Sequence, residues 1–139
     1  MKTRKSRIFV GDFETTVYKG QVNTEVWASA SVEMFTEDVN IFHSIGEQFE
    51  YFIGLNSNIV CYYHNLKFDG SFWLSFFMVD LGLKQATERL TDGSEDIKFL
   101  QPNKMPNNSF TYSISSMGQW YRIIIKIHDK IIELRDSLK

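Results

Sequence analysis

Two stretches in the first 35 residues, a short apolar run that leads into Asp-Phe-Glu and a segment with alternating apolar positions, predict a pair of neighbouring strands. Ile8 to Glu14 begins with Ile-Phe-Val, and Glu25 to Phe35 places Val, Ala or Met at every second position. A period of two is typical of strands. We expect the second stretch to pair antiparallel with the first, after a turn at Val17 to Gly20. Asp38 to His43 predicts a short third strand.

The next segments predict a helix, a buried strand and a second helix. Ser44 is a preferred N-cap residue, and Glu47 completes a capping box for a helix from Ile45 to Leu55. Ile59 to Tyr63 is a short apolar run, and the pattern from Phe72 to Leu81 is helical. The order β, β, β, α, β, α favours a mixed sheet flanked by helices. One face of the first helix is apolar and is expected to pack on the sheet: Ile45, Phe49, Phe52 and Ile53.

The last third of the chain predicts a loop region and then three strands. Thr87 to Asn108 is rich in Asp, Glu, Ser, Asn, Pro and Gly, which indicates an excursion on the surface. Phe110 to Ile114, Trp120 to Ile127 and Lys130 to Arg135 are predicted strands, with a hairpin turn at His128-Asp129. The two isoleucine-rich runs also fit a helical period. The short turn and the abundance of Ile favour strands.

Candidate chemistry begins at the end of the first predicted strand. Asp12 and Glu14 point to the same side of a strand, and Phe13 points to the other. Like charges held this close raise at least one pKa, so a fold keeps such a pair mainly where a cation neutralises it. The competing interpretation is a polar turn after an edge strand. A strand, a polar loop and a helix N-terminus also bring Asp69 to the same end of the sheet.

Three ordered stretches resemble one family of enzymes. Asp12 to Thr15 and His64 to Gly70 resemble the first and second exonuclease motifs of the protein-primed family B DNA polymerases of small phages. Their 3′–5′ proofreading domain is N-terminal and of the DEDD, ribonuclease H-like type. Ser116 to Tyr121, followed by Asp136 to Lys139, is similar to the stretch that approaches the third motif. That motif, a Tyr with an Asp four residues later, has no match before the last residue.

The resemblance covers nearly the whole chain and implies its fold and domain organisation. The implied fold class is α/β, a ribonuclease H-like mixed β-sheet flanked by helices. The implied domain is an exonuclease-like domain over residues 1–139, incomplete at its C-terminus, with a surface insertion at 87–108. A mobile loop is the other interpretation of that segment.

The resemblance also implies two-metal hydrolysis of the 3′ ends of single-stranded DNA, with Mg²⁺ or Mn²⁺ as cofactor. Asp12 would bridge both ions, Glu14 would hold the ion that carries the nucleophilic water, and Asp69 would hold the other. Amides and hydroxyls suit contacts to sugar and phosphate, and aromatic rings suit stacking on bases. The alternative interpretation of each aromatic residue is a position in the core, and that of His64 is a hydrogen-bonded core histidine. The residues that match substrate-contacting positions are Thr15, Tyr62, His64, Asn65, Phe68, Phe72, Ser137 and Leu138.

Composition sets further bounds. The 139 residues fit one domain with a real core, since 43% are hydrophobic and 15% aromatic. A single cysteine, Cys61, excludes an intrachain disulfide framework and predicts a small buried side chain in a reducing compartment. The net charge of −2 is not typical of nonspecific duplex binders. No apolar run reaches the roughly 20 residues that cross a bilayer. We expect a cytoplasmic, phage-encoded protein in the host cell that does not contact membranes.

Three functional hypotheses stay open. The first is a piece of a proofreading DNA polymerase that acts on single-stranded DNA 3′ ends and needs residues beyond Lys139. In the intact family its partners are terminal protein and primer-template DNA. The second is a degenerate relative that binds single-stranded nucleic acid without cutting it. The third is an interaction protein that binds or inhibits a host protein, for which Thr87 to Asn108 is the candidate contact.

Overall fold

The computed structural model describes residues 6–15, 26–89, 91–97, 99–114 and 120–137. Eight of the strands in these ranges form one mixed sheet, and β6 and β7 form a separate hairpin. The strands are β1 (Ser6–Thr15), β2 (Val26–Glu33), β3 (Val39–Phe42), β4 (Asn58–Tyr63), β5 (Lys84–Gln85), β6 (Thr87–Arg89), β7 (Glu95–Ile97), β8 (Ser109–Ile114), β9 (Trp120–Ile127) and β10 (Lys130–Asp136), and the helices are α1 (Ile45–Gly54) and α2 (Leu66–Ser75).

The centre of the large sheet is parallel and its flanks are mainly antiparallel. The strand order is β3-β2-β1-β4-β10-β9-β8-β5. β4 runs parallel to β1 on one side and to β10 on the other, whereas β2 and β9 pair antiparallel with β1 and β10. The predicted mixed sheet, the antiparallel partner and the short third strand are confirmed.

The side chains of β1 separate the two faces of the sheet. Phe9 and Phe13 are buried under the helices, on what we call the helix-covered face. Asp12 and Glu14 are exposed on the opposite side, which we call the outer face. Gly11 lies on the helix-covered side, where an added Cβ would stand 2.7 Å from the ring of Tyr63. The Tyr63 ring therefore occupies the space that a side chain at position 11 would need, which favours glycine there.

Aromatic side chains from both helices fill the core of the helix-covered face. Trp73 of α2 is fully buried, with its ring centroid 5.5 Å from that of Phe77 and 5.8 Å from that of Phe13. Its indole N–H donates a 2.9 Å hydrogen bond to the Tyr63 hydroxyl. Cys61 is buried here as predicted, and burial raises the pKa of its thiol to about 12.

Both ends of α1 are capped by side chains. Ser44 Oγ accepts a 3.1 Å hydrogen bond from the Glu47 backbone N–H, as predicted. The Glu47 carboxylate accepts from the backbone N–H of His43, at 2.8 Å. At the other end, the buried ammonium group of Lys130 donates to the carbonyl oxygens of Phe52, Ile53 and Leu55. This lysine joins the start of β10 to the end of the helix.

The helical pattern after β4 changes geometry before it ends. α2 stops at Ser75, and a π-helical turn follows from Phe76 to Asp80. Phe76 and Phe77 are buried, and Met78 and Val79 are exposed. Within the described ranges, no helix is long and apolar enough to span a membrane.

The segment after residue 86, predicted as a surface excursion, forms secondary structure and contributes buried side chains. It forms the β6–β7 hairpin and a short 3-10 turn at Pro102–Lys104. Leu100 and Met105 are buried with Ile124 on the outer face, where they form a second, smaller core. Its status as an insertion stays a prediction.

The predicted strand hairpin at the end of the chain is confirmed. β9 and β10 are joined by His128 and Asp129, whose φ angles are +50° and +63°. Two successive positive φ angles match the twist of a two-residue hairpin turn. The side chain of Asn107 accepts a 2.8 Å hydrogen bond from the Asp129 backbone N–H.

Candidate functional site

The carboxyl end of β1 presents two acids on the outer face. Asp12 and Glu14 are both exposed, and Phe13 between them is 6% exposed. Both residues line one open depression of about 170 Å³. No described basic side chain forms an ion pair with either acid. The depression is completed by Ala28, Ser29, Ala30 and Ile41.

Small apolar side chains on β2 keep this depression open. Ala28 lies opposite Glu14 in the antiparallel register, and Ala30 lies opposite Asp12. Ile41 of β3 lies opposite Ala30 and is 71% exposed. A larger side chain at either alanine position would fill the space beside the carboxylates.

Asp69 approaches the acids from the other side of the sheet. It lies in the first turn of α2, where the helix dipole favours a negative charge. The residue is only 6% exposed. Burial raises the pKa of its carboxyl to about 6, and the negative charge of Asp12 adds to this increase. The fold thus holds two like charges within electrostatic reach of each other, which a bound cation would stabilise.

The donor set fits a hard divalent cation in part. Asp12 and Glu14 offer exposed carboxylate oxygens from one depression, which are the ligands that Mg²⁺ and Mn²⁺ prefer. Among the described residues, no three His, Cys, Asp or Glu side chains lie close enough together to hold one ion. The structure therefore pairs Asp12 with Glu14 but does not bring Asp69 into a common cluster. Its role as a ligand stays a prediction.

The loop between β4 and α2 exposes polar and aromatic groups beside Asp69. Asn65 is the N-cap of α2, and its carbonyl oxygen accepts from the backbone N–H groups of Phe68 and Asp69, while its side chain makes no capping hydrogen bond. His64 is exposed, so the interpretation as a core histidine is wrong.

Two aromatic residues connect this loop to the core. Phe68 is 45% exposed, and its ring packs edge-on against Phe72 with the ring centroids 5.2 Å apart. Phe72 in turn contacts the ring of buried Phe13. Phe68 therefore offers an exposed ring on a rigid support, whereas Phe72 is half-buried and serves the core as well.

The other predicted contact residues lie at the same end of the sheet. Thr15 ends β1, and Tyr62 is half-buried on β4. The backbone N–H of Ser137 donates to the carbonyl oxygen of Tyr63 at 2.8 Å, which extends the pairing of β10 with β4. Leu138 lies outside the described residues. Whether any of these residues contacts a substrate stays a prediction.

Sequence reasoning missed a charged group beside Tyr62. Arg135 lies next to Tyr62 in the register of β10 with β4, and Arg122 lies next to Arg135 on β9. Both arginines donate to the carboxylate of Glu133. Alternation along β10 predicts that Glu133 and Arg135 lie on one face. Arg122 lies on β9, so only the register of β9 with β10 shows that it joins them.

Comparisons with known proteins identify relatives of the whole described fold. The chain is 30% identical over 94% of its length to the DNA polymerase of Streptococcus phage Cp-1, and 29% identical over its full length to that of Bacillus phage phi29. It spans about a fifth of the length of these curated relatives, 20% and 22% respectively. No protein-family model matches.

Solved structures agree with the sequence comparison. Phi29 DNA polymerase complexed with primer-template DNA superimposes with a TM-score of 0.72 at 25% identity, over 96% of this chain and 21% of that chain. The same polymerase complexed with single-stranded DNA gives a TM-score of 0.68 at 27% identity, with the same coverage. The fold class is therefore α/β and ribonuclease H-like, as predicted. The chain is homologous to phi29-like phage DNA polymerases, and the similarity lies in their N-terminal region.

Proposed function

We propose that this chain is the 3′–5′ exonuclease domain of a phage protein-primed DNA polymerase and shortens single-stranded DNA from its 3′ end. The observation that carries the proposal is the pair of exposed acids, Asp12 and Glu14, which line one depression, with buried Asp69 within electrostatic reach of Asp12. The homology to phage DNA polymerases supports it, because those proteins act on DNA. Terminal protein and primer-template DNA are the partners that this function implies.

Each group has a distinct role in the proposed reaction. Asp12 and Glu14 would hold Mg²⁺ or Mn²⁺ at the outer face, and Asp69 would add negative charge nearby. A divalent cation held there would supply an activated water and neutralise charge on the scissile phosphate and the departing 3′ oxygen. Exposed Phe68 stacks on a base, and Asn65 holds sugar or phosphate. The aromatic contact does not depend on base identity, which suits a nuclease without sequence preference.

A cleavage assay on the 139-residue chain tests this proposal. A 5′-labelled single strand incubated with Mn²⁺ should give a ladder of products shortened from the 3′ end. Asp12→Ala/Glu14→Ala should lower the rate at least about 100-fold, because a catalytic metal contributes several kcal/mol to the transition state. Asp38→Ala/Glu50→Ala removes two exposed acids elsewhere and should cleave like the parent chain. A ladder that persists in the Asp12/Glu14 variant would contradict the proposal.

A second function is favoured by one specific observation. Among the described residues, the acids do not form a three-ligand cluster. A chain that binds single-stranded nucleic acid without cutting it would fit this geometry. Such a chain would shift the mobility of the labelled strand in a gel and leave its length unchanged, in the same samples.

A further inference from the structure

The outer face carries a compact cluster of charge beyond the acids, which we call the arginine cluster: Arg122, Glu133 and Arg135. Arg122 donates to one carboxylate oxygen of Glu133 at 2.6 Å, and Arg135 donates to the other. The Glu133 side chain is 8% exposed, whereas those of Arg122 and Arg135 are 29% and 41% exposed. Two cations thus share one anion, and one positive charge is left over at the surface.

The guanidinium groups of the cluster are held in place with donors to spare. A guanidinium carries five N–H donors. Arg122 Nε is buried and has no hydrogen-bond partner among the described residues. The guanidinium carbon of Arg122 lies 5.0 Å from the ring centroid of Phe99, which fixes its orientation by a cation–π contact. The contact with Glu133 uses one nitrogen of each guanidinium, and the side chains of Arg122 and Arg135 are partly exposed, so further N–H donors are left for an external acceptor.

The arginine cluster lies on the same face of the sheet as Asp12 and Glu14. Across the outer face, Val10, Tyr62, Arg135 and Arg122 are neighbours on four successive strands. Strands stand about 4.8 Å apart, and residues rise about 3.3 Å along each of them. Arg135 is therefore about 12 Å from Asp12, which is two residues beyond Val10 on β1. A stacked strand covers this distance with roughly three or four nucleotides.

We propose that Arg122, Arg135 and the Tyr62 hydroxyl bind phosphate oxygens of a single-stranded nucleic acid whose 3′ end lies at Asp12 and Glu14. The inference rests on the proposed function for the position of the 3′ end. Guanidinium groups match phosphate geometry with paired N–H donors, and they keep their charge at every physiological pH. Glu133 holds both arginines in place but leaves them net positive, so the cluster attracts the backbone without reading bases.

A second arginine–glutamate pair in the same sheet provides the matched control. Arg7 donates to both carboxylate oxygens of Glu33, at 2.7 and 2.5 Å, on the helix-covered face. Its side chain is 38% exposed and that of Glu33 is 8% exposed, nearly the same values as for Arg135 and Glu133. This pair is neutral and lies on the opposite side of the sheet. Arg7→Ala therefore removes the same chemical group and ion pair without touching the proposed strand path.

The test measures affinity without cleavage. A fluorescein-labelled ten-residue oligothymidylate is titrated with each variant in EDTA, at several salt concentrations, and its anisotropy is followed. Arg135→Ala should raise Kd about threefold to tenfold, as for the loss of one typical hydrogen bond at a partly exposed site. It should also reduce the slope of log K against log salt by about 0.7. Arg135→Lys should recover part of the slope, and Arg7→Ala should match the parent chain.

Glu133→Gln distinguishes phosphate binding by the arginine cluster from a purely structural role of the cluster. Removal of the shared anion leaves both arginines for phosphate, so Kd should fall and the salt slope should steepen. Melting curves of every variant show that the compared chains are folded.

The outcomes distinguish this inference from the proposed nuclease. If Arg135→Ala binds the oligonucleotide with the Kd and salt slope of the parent chain, or if the parent chain does not bind, the inference is overturned. If Arg135→Ala weakens binding but the Mn²⁺ assay gives no ladder, the phosphate site stands and the nuclease proposal fails. If the Mn²⁺ assay gives a ladder that depends on Asp12 and Glu14, but binding does not depend on Arg135, the nuclease proposal stands and the phosphate site fails.

Discussion

The two faces of the central sheet are built from the same strands but use them differently. On the helix-covered face, Phe9, Phe13 and Tyr63 are buried beneath α1 and α2. On the outer face, the neighbouring side chains Val10, Val32 and Ile41 remain between 37% and 71% exposed. The helix-covered face therefore supplies most of the free energy that holds the fold, and the part of the outer face beside β1 is left available for chemistry. The contrast predicts that equal substitutions have unequal effects on the two faces.

Arginine–glutamate contacts show the same division. On the helix-covered face, the hydrogen bonds from Arg7 hold the pKa of Glu33 below its ordinary value, and the pair is electrically complete. On the outer face, burial lowers the pKa of Arg135, but Glu133 and Tyr62 outweigh this effect and the net pKa lies above its ordinary value. Arg135 is therefore always charged, and the arginine cluster is not neutralised. The Arg7–Glu33 pair is thus complete within the protein, whereas the arginine cluster keeps one positive charge that is available to a ligand.

The largest effect is expected from the core of the helix-covered face. Trp73→Ala removes a fully buried ring that contacts Phe13 and Phe77 and leaves the Tyr63 hydroxyl without its donor. We expect it to lower the free energy of unfolding by about 3–5 kcal/mol. Urea denaturation followed by far-UV circular dichroism measures the change. A loss below 1 kcal/mol would mean that the helices do not hold the sheet.

The pH dependence of stability tests the environment of Asp69, which lies where the two faces meet. Its folded-state pKa of about 6 lies above the ordinary value of 3.8, so the folded chain binds the proton more tightly than the unfolded chain. Without divalent ions, stability should therefore fall as pH rises from about 4 to about 6, by of the order of 2–3 kcal/mol.

Asp69→Asn is the control for this pH dependence, because an amide does not ionise. Melting temperatures between pH 4 and pH 7 in EDTA, with and without the substitution, isolate the contribution of this carboxyl. Added Mn²⁺ should restore stability near pH 7 in the parent chain and not in Asp12→Ala/Glu14→Ala. Identical pH profiles for the parent chain and Asp69→Asn would contradict the assignment.

The substitution of Gly11 tests how tightly the Tyr63 ring packs against β1 on the helix-covered face. In Gly11→Ala the new methyl would stand 2.7 Å from the Tyr63 ring, which is itself fully buried and held by Trp73. We expect a loss of about 1–3 kcal/mol, as for overpacking in a core. Gly54→Ala is the matched control, since nothing lies within 4 Å of its added Cβ. Its stability should rise by about 0.5 kcal/mol, because alanine favours the helix.

The smallest effect is expected at the outer face. Ile41→Thr replaces an exposed β-branched residue by another, so the free energy of unfolding should change by no more than about 0.5 kcal/mol. Chemical denaturation of both chains provides the comparison. A loss above 1.5 kcal/mol would show that the outer face contributes to stability as much as the covered one.

Much of the fold follows from local pattern in the sequence. Alternation in β1 and β2, the Ser44 cap and the short turn at His128-Asp129 each have a local physical cause, and each prediction is confirmed. The same alternation correctly placed Asp12 and Glu14 on one exposed face.

The rest depends on contacts between distant residues. β5 has only two residues and thus no period, and Leu100 and Met105 lie in a largely polar segment without a regular apolar period. Arg122 reaches Glu133 only through the register of β9 with β10. The burial of Asp69 depends on how α2 packs on the sheet, and no pattern within the motif reports it.

The parallel centre of the sheet has a consequence for the order of assembly during synthesis. β1, β4 and β10 are neighbours in space, yet they begin at residues 6, 58 and 130. As the chain leaves the ribosome, Asp12 and Asp69 can come within electrostatic reach of each other once β4 has paired with β1. Arg135 arrives only when β10 docks, and Lys130 then closes a contact with the end of α1 across 75 to 78 residues. Such distant pairings form slowly, so a nascent chain would carry its acids before its arginine cluster.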